Sequence, residues 1–154
     1  MTGVLPRDDA LAIQEILALF AHVFDNNDVA GLGLVFTSDV RVDIGLGPSR
    51  TYRGLAEFAD YVRSRSAAEP DHHTVNTSLL PQEDGSVRAR SRYLGVNLEG
   101  RLTSGEFLDV LVCTPRGWRI SYRRSVPRTP RPAGTGVPVS QVLEPWLGTS
   151  AGRP

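Results

Sequence analysis

Apolar residues in the first part of the chain recur at three- and four-residue steps. Leu11, Ile13, Ile16, Leu17, Phe20, Val23 and Phe24 make one broad face, the period of an amphipathic helix. Pro6-Arg7-Asp8-Asp9 opens it, with carboxylates where the helix dipole favours them, and Asn26-Asn27-Asp28 breaks it. The pattern then predicts a short helix over 29–36, weakened by Gly31 and Gly33. A strand over 40–45, a turn over 45–49, a short strand over 50–53 and a third helix over 55–67 follow, the last with Leu55, Phe58, Ala59 and Val62 inward. After Pro70 the period changes to that of strands: 71–80, 87–99, 101–114 and 118–128. Turns at Glu83-Asp84-Gly85-Ser86, Gly100 and Pro115-Arg116-Gly117 join them. Helices first and an antiparallel meander second is an α+β pattern. Such a sheet must bury one face, and curled around the first helix it would enclose a mostly apolar pocket.

Residues 129–154 lose this periodicity and become rich in Pro and Gly, so the chain divides into a domain over 1–128 and a tail over 129–154, flexible or docked. Val137, Val139, Val142, Leu143, Trp146 and Leu147 form an apolar patch in that tail. The chain has 154 residues and a formal net charge of zero. That length suits one domain with a substantial core, and spread-out basic residues leave no electrostatic footprint for nucleic acid. No apolar run reaches bilayer-spanning length, and the N-terminus lacks a secretory pattern. Cys113 is the one cysteine. Beside Leu111 and Val112 it is expected in the core, and the setting expected is a reducing cytoplasm. Lys is absent, so Arg supplies all the positive side-chain charge.

The candidate chemistry centres on 71–80. By strand alternation His72, Thr74, Asn76 and Ser78 share one face, and His73, Val75, Thr77 and Leu79 the other. The polar face either lines a pocket or lies exposed. A carboxylate beside His72 would make an acid–base unit, orienting an imidazole whose other nitrogen faces substrate. Such a unit needs no cofactor. Asp25 is a candidate cap of the short helix after it. Asn76, Tyr93 and Asn97 are candidate hydrogen-bond donors to a developing oxyanion. His22, three residues before Asp25, is expected at the surface, and no ligand spacing singles out a metal site. Asp109, with Phe107 and Leu111 on its face, is a lone acid in an apolar strand; Arg90 or Arg92 would pair with it, most simply on an exposed face. Asp43 poses the same question, and Arg123 and Arg124 are expected to be solvated.

The order of elements resembles the SnoaL-like branch of the nuclear transport factor two superfamily. The residues that carry the resemblance are Phe24-Asp25-Asn26-Asn27-Asp28, Phe36-Thr37-Ser38-Asp39-Val40-Arg41-Val42-Asp43, Tyr52-Arg53-Gly54, His72-His73-Thr74-Val75-Asn76 and Gly117-Trp118-Arg119-Ile120. It implies a cone-shaped, curved antiparallel sheet packed on three helices, with a pocket inside. Against the scytalone dehydratase pattern, Phe24-Asp25 stands where a Tyr-Asp pair is expected, and His72 matches a catalytic histidine. Asn97 replaces a second histidine, and Ile44 a pocket tyrosine. The function implied is a cofactor-independent dehydratase, cyclase or isomerase acting on a small polycyclic or polyketide-like substrate. Asp25 and His72 would be catalytic, with Phe24, Ile44, Asn76, Tyr93, Asn97, Phe107 and Asp109 around the substrate. Two alternatives are an assembly subunit like the small subunit of ring-hydroxylating dioxygenases, and an epoxide hydrolase using Asp109 beside an arginine. The resemblance also implies a homodimer through the outer sheet face, with Leu108, Val110 and Val112 exposed there.

Overall fold

A computed structural model describes residues 4–45, 50–66 and 69–130. The turn expected at 45–49 lies outside the described residues except for Gly45, and so does the tail beyond residue 130. The elements run α1 (Arg7–Asp25), α2 (Leu32–Val35), β1 (Phe36–Ile44), β2 (Thr51–Arg53), α3 (Leu55–Ser64), β3 (Asp71–Pro81), β4 (Val87–Val96), β5 (Leu102–Thr114) and β6 (Gly117–Thr129).

The predicted order is observed. One six-stranded sheet, curved and unclosed, has the order β2-β1-β6-β5-β4-β3. The meander β3 to β6 is antiparallel throughout, but β1 lies parallel to β6. That pairing joins the two halves of the chain, and a sequence period carries no sign of it. α2 is a single turn, shorter than 29–36; the Asp28 side chain accepts the Gly31 N–H at 3.0 Å.

α1 buries Ile13, Leu17, Phe20, Val23 and Phe24 and packs across β3 and β6. Leu11, assigned to the apolar face, is 51% exposed. The helix is pinned at its start, where the Trp118 indole N–H donates to Asp9 Oδ1 at 2.8 Å. α3 turns Phe58, Ala59 and Val62 inward against β1 and β2.

The outer sheet face corrects a second expectation. Leu108 and Val110 are buried, not exposed. Leu108 sits between Arg90 and Arg124 in register, and Val110 between Arg88 and Tyr122. Long arginine stems lie along such apolar neighbours while their heads find acids. Glu106, in the next row, accepts from Arg90 at 2.7 Å and is 3.1 Å from Arg92. Asp43 also lies in this layer and is buried. It accepts from Thr51 Oγ1 at 2.7 Å, the Tyr122 hydroxyl at 2.8 Å and Arg124 Nη2 at 3.0 Å. Burial pushes the Asp43 carboxyl up, but hydrogen bonds from Thr51, Tyr122 and Arg41 outweigh it and hold the group below the usual aspartate range.

Candidate active site

Asp25 is the last residue of α1, and His72 is the second of β3. Both lie where the helix leaves the sheet, and their side chains meet. His72 Nδ1 is 2.6 Å from Asp25 Oδ1, and the His72 backbone N–H donates to Oδ2 at 2.6 Å. Both carboxylate oxygens are thus committed to one residue. A carboxylate accepts, so Nδ1 carries the proton and Nε2 is left as the basic nitrogen. Asp25 is therefore not the cap of α2, whose N-cap is Gly31; the Asp28 side chain accepts the Gly31 N–H just ahead of the helix.

Arg65, at the end of α3, closes the arrangement from behind. Its Nη2 is 3.9 Å from Asp25 Oδ1, its Nη1 donates to the Phe24 carbonyl and to Asn27 Oδ1, and its guanidinium stacks on the Phe24 ring at 3.8 Å. The Arg65 carbonyl in turn accepts from Asn27 Nδ2 at 3.3 Å. This arginine carried no sequence signal.

His72 opens onto a cavity of about 220 Å3 between α1, α3 and the inner sheet face. Phe20, Phe24, Phe58 and Phe107 form much of its wall, with Val42 and Ile44. The expectation of a mostly apolar lining is corrected, because Arg50, Arg65, Arg123, Tyr61 and Ser125 also line it. The imidazole is held by rings: Phe24 at 5.8 Å, Tyr93 at 5.4 Å and Phe107 at 6.1 Å between centroids. Tyr93 stacks on Phe107 at 4.6 Å. It can lie flat there because position 105 is glycine; a Cβ on Gly105 would sit 2.3 Å from the Tyr93 hydroxyl. Burial pushes the Tyr93 phenol up, partly offset by a hydrogen bond to Ser125.

Of the sequence candidates, Phe24, Ile44, Phe107 and His72 line the cavity, and Tyr93 stands directly behind His72. Asn76 and Asn97 do not. Asn76 has φ 54° at an irregularity in β3 between Val75 and Ser78 and is exposed. That irregularity shifts the alternation, so Thr77 rather than Asn76 points inward, where it bonds Ser91 at 2.9 Å. Asn97 caps the turn after β4, its Oδ1 accepting the N–H groups of Glu99 at 3.1 Å and Arg101 at 2.8 Å. His22 and His73 are exposed. Cys113 is exposed too, near the end of β5 beside the Pro115-Arg116 turn, so the expected core position is corrected.

The exposed-face pairing expected for Asp109 is overturned: it is fully buried, behind the residues that line the cavity rather than among them, and its partner is neither Arg90 nor Arg92. It takes a two-pronged bond from Arg123, Nε to Oδ1 at 2.6 Å and Nη2 to Oδ2 at 2.8 Å. Asp109 is 0% exposed and Arg123 is 2% exposed, so the expectation of a solvated Arg123 is overturned. A signal for this existed. Adjacent arginines on a strand must point to opposite faces, so in a central strand one of Arg123 and Arg124 has to enter the core. Burial pushes the Asp109 carboxyl up, and the Arg123 charge and hydrogen bonds oppose that.

A model of the SnoaL-like domain family matches residues 7–124. Solved structures are similar over most of their length. A protein of unknown function with a cystatin-like fold from Nostoc punctiforme has a TM-score of 0.71 at 21% identity, covering 84% of this chain and 98% of that one. ActVI-ORFA from Streptomyces coelicolor has a TM-score of 0.65 at 22% identity, covering 77% and 96%. A candidate scytalone dehydratase from Novosphingobium aromaticivorans has a TM-score of 0.66 at 18% identity, covering 80% and 89%. At such identities the likeness shows the fold. No curated protein matches the chain. Among the described residues no helix is long and apolar enough to cross a membrane. The family match spans more than half of the sequence and the inner sheet face forms the expected cavity, so this chain belongs to the SnoaL-like domain family.

Proposed function

We propose that the protein is a cofactor-independent acid–base enzyme, a dehydratase, cyclase or isomerase, acting on a small polycyclic or polyketide-like molecule. The observation that carries this is the Asp25–His72 pair at 2.6 Å, with His72 on the wall of a cavity lined by aromatic rings. Asp25 fixes the tautomer and orientation of the ring and stabilises the imidazolium that forms when Nε2 takes a proton. Flat aromatic walls suit a flat ring system. ActVI-ORFA and the candidate scytalone dehydratase, similar in fold, are consistent with that substrate class.

The test needs no natural substrate. 2-Tetralone in D2O exchanges the protons beside its carbonyl, and NMR follows the exchange. The protein should accelerate it above buffer. Asp25→Asn and His72→Ala should each remove most of the acid–base contribution, about 100- to 10,000-fold. The double variant should be little worse than either single, as for groups that act as one unit. Wild-type exchange no faster than buffer, or both single variants at full rate, would sink the proposal.

A further inference from the structure

The guanidinium of Arg123 is anchored on one edge and unpartnered on the other. Nε and Nη2 are spent on Asp109. Nη1, the corner turned away from Asp109, is buried and has no hydrogen-bond partner among the described residues. Arg123 is part of the cavity wall, and Ser125, two residues on along the same face of β6, is beside it. A buried cationic donor left unmet is costly, and a native structure keeps one where something else supplies the acceptor. The same two rings frame this group and the base: Phe20 and Phe107 lie 4.0 and 4.2 Å from the Arg123 guanidinium carbon and 6.5 and 6.1 Å from the His72 ring. Base and donor therefore share one aromatic floor.

We infer that Arg123 Nη1 is the oxyanion anchor of the cavity, and that the ligand is an aromatic or conjugated carbonyl compound whose oxygen bears negative charge there. The role rests on the acid–base reading only for its catalytic half. In that half, His72 Nε2 takes a proton from the carbon beside the carbonyl. The C–H electron pair becomes the enolate double bond, and the carbonyl pair moves to the oxygen held by Nη1. The reverse transfer from the imidazolium returns the proton, so the step balances without another reactant. In the binding half, a carboxylate on the same flat body fits the same donor in its ground state. Asp109 holds the planar guanidinium in place, so little reorganisation is needed as charge develops.

The experiment replaces the pair, not the charge. Arg123→Met with Asp109→Leu removes one positive and one negative group together, so net charge is kept, no buried charge is stranded, and the Nη1 donor is lost. Arg123→Lys is the second variant: it keeps a positive charge against Asp109, but its compact ammonium has no second nitrogen standing where Nη1 stands. Binding of 2-naphthoate and of naphthalene is measured by calorimetry on wild type and both variants. Each arginine variant should bind 2-naphthoate about 10- to 100-fold more weakly, the loss of one charge-assisted hydrogen bond. Naphthalene should bind all three proteins alike. In the 2-tetralone exchange the same arginine variants should lower kcat with KM little changed. The inference is overturned if the variants hold 2-naphthoate as tightly as wild type, if naphthalene binding falls in parallel, or if wild type binds neither probe. A failed exchange assay with an intact 2-naphthoate result would remove the acid–base reading and leave the anchor standing.

Discussion

The Asp109–Arg123 pair allows a stability prediction with a defined asymmetry. Both groups are out of solvent, at 0% and 2% exposure, and the fork bonds are 2.6 and 2.8 Å. Asp109→Leu strands a guanidinium between Phe20 and Phe107, and a guanidinium cannot discharge itself by losing a proton. That variant should lose about 3–5 kcal/mol, the cost of breaking a buried pair from one side. Against a typical total of about 5–15 kcal/mol it is a third or more of the stability. Arg123→Met strands a carboxyl, which can escape by taking up a proton. Burial already pushes that group up with the arginine present. Without Arg123 its folded pKa rises further above the unfolded value, so the folded state holds the proton more tightly. The penalty of Arg123→Met should then be largest at neutral and higher pH and shrink as pH falls through the raised folded value. Replacing both residues should restore stability to near wild type, because a well-packed apolar pair avoids the desolvation cost altogether. Equilibrium urea unfolding at several pH values, read as shifts of the midpoint at constant slope, measures all three. The reasoning fails if Asp109→Leu costs less than about 1 kcal/mol, the range of exposed pairs, or if the double variant loses the sum of the singles.

Two further outcomes follow from contacts elsewhere. Gly105→Ala would place a Cβ 2.3 Å from the Tyr93 ring and hydroxyl, so it should cost about 1–3 kcal/mol in urea unfolding, as overpacking does. Most of that cost should vanish in a Tyr93→Leu background, and equal cost in both backgrounds would show that the ring is not the obstacle. The Tyr122 phenol is pushed up to about 12 from 10.0, by burial first and by the Asp43 carboxylate, with Arg124 opposing. Stability from the protonated phenol should be complete below pH 10 and decline as pH rises to about 12. Tyr122→Phe should flatten that alkaline slope relative to wild type, and an unchanged slope would remove Tyr122 as its source.

Element type and order were legible in the chain because they depend on local periods. The stripe Ile13, Leu17, Phe20, Phe24 runs at helical spacing, and all four are buried. The long β-branched runs with glycine turns are strands β3 to β6 in the order expected. His72 was legible too: it starts a strand, two residues after a proline, with a polar residue on every second position. Its partner was reached only through family likeness, since Asp25 lies 47 residues earlier. What the tertiary structure alone decided was every feature that depends on phase or on distant pairing. A single irregularity in β3 moved Asn76 out and Thr77 in, and no propensity marks where such a shift falls. The parallel pairing of β1 with β6 put Val42 beside Arg123 and Asp43 beside Arg124, which gave one arginine to the cavity and the other to the outer layer. Arg65 became a support of the dyad because the end of α3 meets the end of α1. Local sequence sets which face a side chain takes relative to its neighbours. Only the packed sheet sets which face is inside, because burial is a property of what lies across from a residue, not beside it.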